Sequence, residues 1–260
     1  MPLPNALTIA GFDPSGGAGV LADARTFSSF DYRASAAITS ITFQNDTQAR
    51  GAVQQTAATV RGQIESLLAR LQFACAKTGM LPTREVVQEV ARIFREHELP
   101  APVVDPVMVS SSGLRLMEEG ALEVFVAELL PVARVVTPNI PEAEALTGLE
   151  LTSEAEMREA AKLIRTLGAR AVLLKGGHLG QKAVGRRQKA EGSEAIDVLD
   201  DDGTVTLFRA AFIPGANIRG SGCILSAAIA AGLGKGLSLE ASVRQAKEFV
   251  LNELRRGFAT

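Results

Sequence analysis

Short apolar, β-branched runs recur along this chain with longer amphipathic stretches between them, and that alternation limits the folds open to it. The segments Ala6 to Ala10, Ala34 to Thr42, Phe73 to Lys77, Val103 to Val104, Val135 to Val136 and Ala171 to Leu174 read as strands. Several are continuously apolar, as strands are when helices cover both faces of a parallel sheet. Between them, Gly19 to Phe30, Val60 to Leu71, Arg84 to Glu96, Ala121 to Leu129, Glu154 to Leu167 and Glu240 to Arg255 carry helical patterns. Ser153 with Glu156 gives one of these a capping-box start, and Gly168 gives it a stop. Repeated strand–helix units predict an α/β fold, a mostly parallel sheet with helices on both faces and right-handed crossovers. A chain of 260 residues suffices for one such core, so a single domain over 1–260 is expected.

Composition removes several function classes. A net charge of −2 carries none of the basic surplus that nucleic-acid binding brings. Two cysteines, Cys75 and Cys223, are too few for a disulfide framework and fit a reducing compartment. The N-terminal MPLPNALTIAG lacks the basic and long apolar regions of a signal peptide, and no apolar run reaches a membrane-spanning length. A cytoplasmic setting without membrane or nucleic-acid partners is the expectation.

Open parallel sheets bind ligands beyond the carboxyl ends of their strands. Polar or glycine-rich clusters follow the predicted strands at Gly11 to Gly19, Gln44 to Asn45, Lys77 to Met80, Asp105 to Met108, Thr137 to Glu142 and Lys175 to His178. Each alone is as compatible with an ordinary turn as with a site; together they occupy one rim. The polar stretch Gly180 to Glu194 reads as a solvated surface loop, or as a flap near a nucleotide. Beyond it, Ala195 to Val198 and Val205 to Ala210 flank Asp200 to Gly203 as a β-hairpin.

The segment from Asn217 to Gly236 carries the most chemistry. Gly220-Ser221-Gly222-Cys223 precedes a helix of small residues, and a helix N-terminus offers free N–H groups and a dipole to an anion. The plainer alternative is a glycine turn that caps a buried helix. Cys223 in the first turn is where a thiol pKa is lowered, although a buried cysteine is often simply a small apolar group. The chain has neither G-x-x-x-x-G-K-[ST] nor G-x-G-x-x-G after its first strand, which argues against P-loop enzymes and Rossmann dehydrogenases. With neither C-x-x-C nor H-E-x-x-H, a zinc site has little support. Asp105 and Glu142, at strand ends, are candidates for holding Mg²⁺, while Glu142 also reads as a first-turn helix acid behind Pro141. Lys175 closes a strand and can reach a phosphate.

These blocks, in this order, resemble the hydroxymethylpyrimidine and phosphomethylpyrimidine kinases of thiamine biosynthesis, a branch of the ribokinase superfamily. They are TIAGFDPSGGAG (8–19) with Asp23, Gln44-Asn45, KTGM (77–80), DPVMV (105–109), TPNIPEAEALTG (137–148), LLKGGH (173–178) and GSGCILSAAIAAG (220–232). The resemblance implies a ribokinase-like three-layer fold and transfer of the γ-phosphate of ATP to a hydroxymethylpyrimidine, then to its monophosphate. It implies that Gly11, Ala18, Asp23, Gln44 and Met80 form the pyrimidine pocket. Asp105 and Glu142 would serve Mg²⁺, Asn139 and Lys175 the phosphates, and the amides of Gly220, Ser221, Gly222 and Cys223 the transferring phosphoryl group. Cys223 would act as base or would position the acceptor hydroxyl. It also implies a homodimer.

The chain departs from the family pattern in four places. Phe12 replaces a small polar residue, Arg219 a histidine and Ser221 a threonine, and the 180–194 loop is long. Arg219 keeps a cation near the phosphates by this reading. The rival activities are a pyridoxal or pyridoxine kinase on the same fold, and a binding or regulatory protein that has lost catalysis. The retained Asp105, Lys175, Glu142 and glycine turn speak against the latter.

Overall fold

The computed structural model describes residues 2–45, 48–110, 113–177, 194–211 and 219–257. His178, Asn217 and nearly all of the 180–194 loop lie outside them.

Nine strands form one sheet in the order β3-β2-β1-β4-β5-β6-β7-β8-β9. β1 (Asn5–Phe12), β2 (Arg33–Gln44), β4 (Phe73–Thr78), β5 (Val103–Val104), β6 (Val135–Val136) and β7 (Ala171–Leu174) are parallel. β3 (Ala49–Gln54), β8 (Glu194–Asp201) and β9 (Thr204–Ala211) add antiparallel edges. The six parallel strands are those read from the apolar runs. The hairpin is also as expected, with Asp202 at φ 52° and Gly203 at φ 88°, the pair of positive angles that a type I′ turn requires.

Period-2 alternation explains why the strand runs are apolar throughout. Leu7, Ala76, Val104, Val136, Val172 and Leu174 face one core, under α2 (Ala57–Leu68), α3 (Arg84–Glu96) and α6 (Glu154–Thr166). Ala6, Cys75, Val103, Val135, Ala171 and Leu173 face the other, under α1 (Gly19–Ser29), α7 (Ser221–Gly234) and α8 (Leu239–Gly257). The two cores make the three layers.

The same alternation aims the residues at the strand ends. One step of two beyond Cys75, Val103, Val135 and Leu173 come Lys77, Asp105, Thr137 and Lys175. All four therefore continue the row that faces α1 and α7.

Helix α7 is built to lie close to the sheet. A side chain at Gly234 would lie 2.9 Å from the Cys75 Cβ on β4, and one at Gly232 would meet the Ser242 backbone of α8 at 3.1 Å. Tyr32 donates to the carbonyl of Ala231 at 2.9 Å and fixes the C-terminal end of the helix.

Some boundaries differ from the sequence reading. α2 starts and ends three residues early, because Thr56 caps it through the amide of Thr59. The single helix expected over 121–129 is α4 (Ala121–Val124) running into a wider π-type segment at Phe125–Leu129. β3 was not predicted, and of α5 (Ile140–Thr147), after β6, only the start at Pro141 and Glu142 was read.

Candidate active site

Three glycine contacts assemble the rim. Gly19, at φ +60°, brings the start of α1 so near the end of β1 that a Cβ there would lie 2.1 Å from the Gly11 carbonyl. Gly220, at φ +77°, brings the start of α7 onto the loop before α1, where a Cβ would lie 2.1 Å from the Gly17 carbonyl. At Gly222 a Cβ would lie 3.2 Å from the Lys175 ammonium and 3.7 Å from the Asp105 carboxylate. The turn thus packs backbone against the charged strand ends. Ser221, Gly222 and Cys223 remain half-buried while α7 from Leu225 to Gly232 is buried, so only the first turn is open. Its first amides lack acceptors within the helix and can serve an anion.

Lys175 and Asp105 lie 3.1 Å apart, and the Thr137 hydroxyl donates to the same carboxylate oxygen at 3.3 Å. Burial opposes the charge on Asp105, but Lys175 and Lys77 outweigh it and hold its carboxyl below the ordinary value. Asn139 and Glu142 form a reciprocal capping box at the start of α5: the Asn139 side chain accepts from the Glu142 amide at 2.9 Å, and the Glu142 carboxylate accepts from the Asn139 amide at 2.8 Å. Asn139 also bridges to Lys175 through the backbone. The two readings of Glu142 therefore coincide, because the helix-start acid is itself on the rim. Burial pushes Glu142 up to about 7; Lys175 pulls it down and Asp105 adds to the rise.

At the expected pyrimidine pocket, a Cβ at Gly11 would lie 3.0 Å from the Met80 sulfur, so these two residues are in contact. Thr39 holds the Met80 carbonyl at 2.6 Å. Ala18 is the N-cap of α1, its amide donating to Asp13 at 3.0 Å, and Gln44 ends β2 half-buried beside Asn45.

One expectation changes, and two of the predicted residues have partners that the sequence did not show. Asp23, expected in the pyrimidine pocket, is fully buried, with Lys77 within 3.0 Å of both carboxylate oxygens and the Thr8 hydroxyl donating at 2.6 Å. Lys77, read from the sequence as part of a strand-end cluster but given no role, is equally buried. Burial works against its charge, but Asp23 more than offsets this and keeps it protonated. Cys223 does not have a lowered thiol pKa. Burial pushes it up to about 11; Lys77 and the Gly19 amide pull it down, while Asp105 and Asp23 raise it further. Arg219, expected near the phosphates, bonds the Asn45 carbonyl through its guanidinium and lies 3.2 Å from Asp13, in the loop before α1.

A model of the phosphomethylpyrimidine kinase family matches residues 13–260. The chain belongs to this family. A hydroxymethylpyrimidine/phosphomethylpyrimidine kinase of Rhizobium meliloti is 41% identical over 94% of this chain and 88% of its own. One of Streptomyces coelicolor is 38% identical over 98% of this chain and 90% of its own. Among solved structures, the phosphomethylpyrimidine kinase of Clostridium difficile 630 superposes with a TM-score of 0.82 at 32% identity, covering 96% of this chain and 99% of that one. The pyridoxal kinase of Staphylococcus aureus in complex with pyridoxal gives 0.84 at 33%, covering 97% and 88%. The expected kinase class and ribokinase-like α/β fold therefore hold for this phosphomethylpyrimidine kinase family member.

Two outcomes follow from the charges of this site. Lys77→Met strands a buried carboxylate and should cost about 3–5 kcal/mol in urea unfolding, whereas Lys77→Met with Asp23→Leu should recover most of it. A single variant within about 1 kcal/mol of wild type would contradict the pairing. Because the folded-state pKa of Glu142 lies above its unfolded value of 4.5, its neutral form stabilises the protein below pH 4.5. That contribution is lost as pH rises from 4.5 through about 7. Without nucleotide or metal, Glu142→Gln should flatten the decline in stability over this window by on the order of 2 kcal/mol, and an unchanged slope would contradict the shift.

Proposed function

We propose that this chain transfers the γ-phosphate of ATP to 4-amino-5-hydroxymethyl-2-methylpyrimidine and then to its monophosphate, acting as one kinase domain in thiamine biosynthesis. The observation that carries this reading is the open first turn of α7, with Lys175 3.2 Å from the place a Gly222 side chain would take. Backbone amides and one cation converge there with no side chain between them. Phosphoryl transfer needs positioning and charge stabilisation more than covalent chemistry from the protein, and this arrangement supplies both. Relatives solved with ADP and with AMP-PCP support ATP as donor.

In this reading the amides of Gly220, Ser221, Gly222 and Cys223 receive the transferring phosphoryl group. Lys175 and Asn139 hold the donor phosphates, and Gly11, Ala18, Gln44 and Met80 receive the pyrimidine. Gln44 suits an aminopyrimidine edge, because its amide both donates and accepts. Asp23 takes part from beneath, by holding Lys77 under the thiol. A thiol that stays protonated at neutral pH is no standing base, so we assign Cys223 to orienting the acceptor oxygen.

No group of three or more acidic, histidine or cysteine ligands occurs among the described residues. Mg²⁺ suits one or two carboxylates together with phosphate oxygens and water, and Asp105 with Glu142, both facing Lys175, fits that donor set. When bound, the ion would neutralise charge on the donor phosphates. A homodimer and a cytoplasmic location belong to the same proposal on the family resemblance. Among the described residues no helix is long and apolar enough to cross a membrane.

The second reading is a pyridoxal kinase, favoured by structural relatives of that name at 33–35% identity. The test is kcat/KM with Mg-ATP for the pyrimidine alcohol, its monophosphate and pyridoxal. We expect both pyrimidines to exceed pyridoxal, and Cys223→Ala, by misplacing the acceptor oxygen, to lower kcat on the alcohol by about 100-fold with its Kd nearly unchanged. A preference for pyridoxal would overturn the pocket assignment, and no transfer to any of the three would overturn the enzyme.

A further inference from the structure

A kinase that uses one ring twice meets two different acceptors. The first is a neutral alcohol. The second is a phosphate monoester, close to a dianion at neutral pH because its second pKa is about 6. In the second step an oxygen of that monoester attacks the γ-phosphorus while the bond from phosphorus to the β,γ-bridging oxygen breaks and ADP leaves. No acceptor proton has to be removed from the dianion. What the second step adds is charge: the acceptor's two other oxygens must be neutralised while the amides of α7 are engaged by the transferring group.

The cations near the rim differ in how free they are to do this. Lys77 is fully buried under Asp23 and cannot touch a substrate. Lys175 is committed to Asp105, on the donor side. Arg25 donates to the Gly16 carbonyl from an exposed position on α1. Arg219 is 20% exposed and sits one residue before the glycine turn. It spans from Asp13, in the loop before α1, to the carbonyl of Asn45, next to Gln44. It therefore stands between the residues assigned to the ring and the turn assigned to the phosphoryl group.

Its present contacts leave it capacity. A guanidinium carries five N–H donors, and the Asn45 and Asp13 contacts use only part of them. Asp13 does not depend on it for hydrogen bonds. One carboxylate oxygen accepts from the Ser15 amide at 3.0 Å and the Ser15 hydroxyl at 2.8 Å, and the other accepts from the Ala18 amide at 3.0 Å. The loop is thus capped from within, and the guanidinium is an additional tie that can be shared with an incoming anion.

Resting on the proposed reaction, we propose that Arg219 is the acceptor-phosphate subsite, a specificity residue that receives the monoester of the second substrate. The first step has no such anion for it to bind.

The experiment compares wild type with Arg219→Met, Arg219→Gln and Arg219→Lys, each checked for a cooperative thermal transition. kcat/KM with Mg-ATP is measured for the pyrimidine alcohol and its monophosphate, alongside Kd for each without nucleotide by calorimetry. Arg219→Met and Arg219→Gln should lower the ratio of monophosphate to alcohol about 10- to 100-fold, mainly through KM, with the same shift in the Kd ratio. Arg219→Lys should restore a good part of it. A ratio within twofold of wild type, or an equal fall for both acceptors, would overturn the subsite and leave Arg219 as a tie for the loop. If Arg219→Met fails to fold, Arg219→Gln keeps the neutral hydrogen bonds and reads the charge alone. The Kd comparison needs no turnover, so a chain that binds both pyrimidines but transfers to neither would sink the reaction while still deciding the subsite.

Discussion

The close approach of backbone to backbone at Gly19 and Gly220 is the constraint from which the rest of this site follows. Each places the start of a helix within contact of another segment's carbonyl, at distances a Cβ cannot share. Both sit at positive φ, where a side chain would be strained even with space available. The consequence is that α1 and α7 begin at the same point on the carboxyl edge of the sheet, and Cys223 lies between them with the Gly19 amide directed at its sulfur. Anion-binding amides, thiol and acceptor loop are brought together by the absence of side chains.

Charge is then organised around that point by the pleat of the sheet. Lys77, Asp105, Thr137 and Lys175 face α7 because each continues the inward alternation of its own strand. Isolated charges at such depth would be strongly destabilising, and here they are matched: Lys77 with Asp23, Lys175 with Asp105. The balance leaves the thiol protonated and Glu142 near neutrality in its titration. A site nearly balanced in this way is prepared for the charge that substrates bring.

Much of this was legible in the sequence, and the exceptions have identifiable causes. The central parallel strands stood out because both their faces are buried, whereas β3 pairs along one edge only and is largely exposed, so ARGAVQ carries no apolar signal. α5 has eight residues, too few for a helical period, although its capping residues Asn139 and Glu142 were visible. Lys77 could have been found by extending the alternation of Phe73 to Lys77, which puts it on the same face as Cys75. The direction of the Cys223 shift could not have been, because the local effect of a helix start is outweighed by burial and by the carboxylates of Asp105, just beyond β5, and Asp23, in α1. The partner of Arg219 was hidden for a similar reason: its neighbours in the chain are the glycine turn, but Asp13 comes from the other end of the sequence.

Catalysis here turns on where the phosphate goes. The most direct measurement is a crystal structure with Mg²⁺, a non-hydrolysable ATP analogue and the pyrimidine alcohol. It should place γ-phosphate oxygens at roughly 3 Å from the amides of Gly220 to Cys223, with Lys175 alongside and the ring against Gly11 and Met80. A phosphate chain bound away from the first turn of α7 would contradict it.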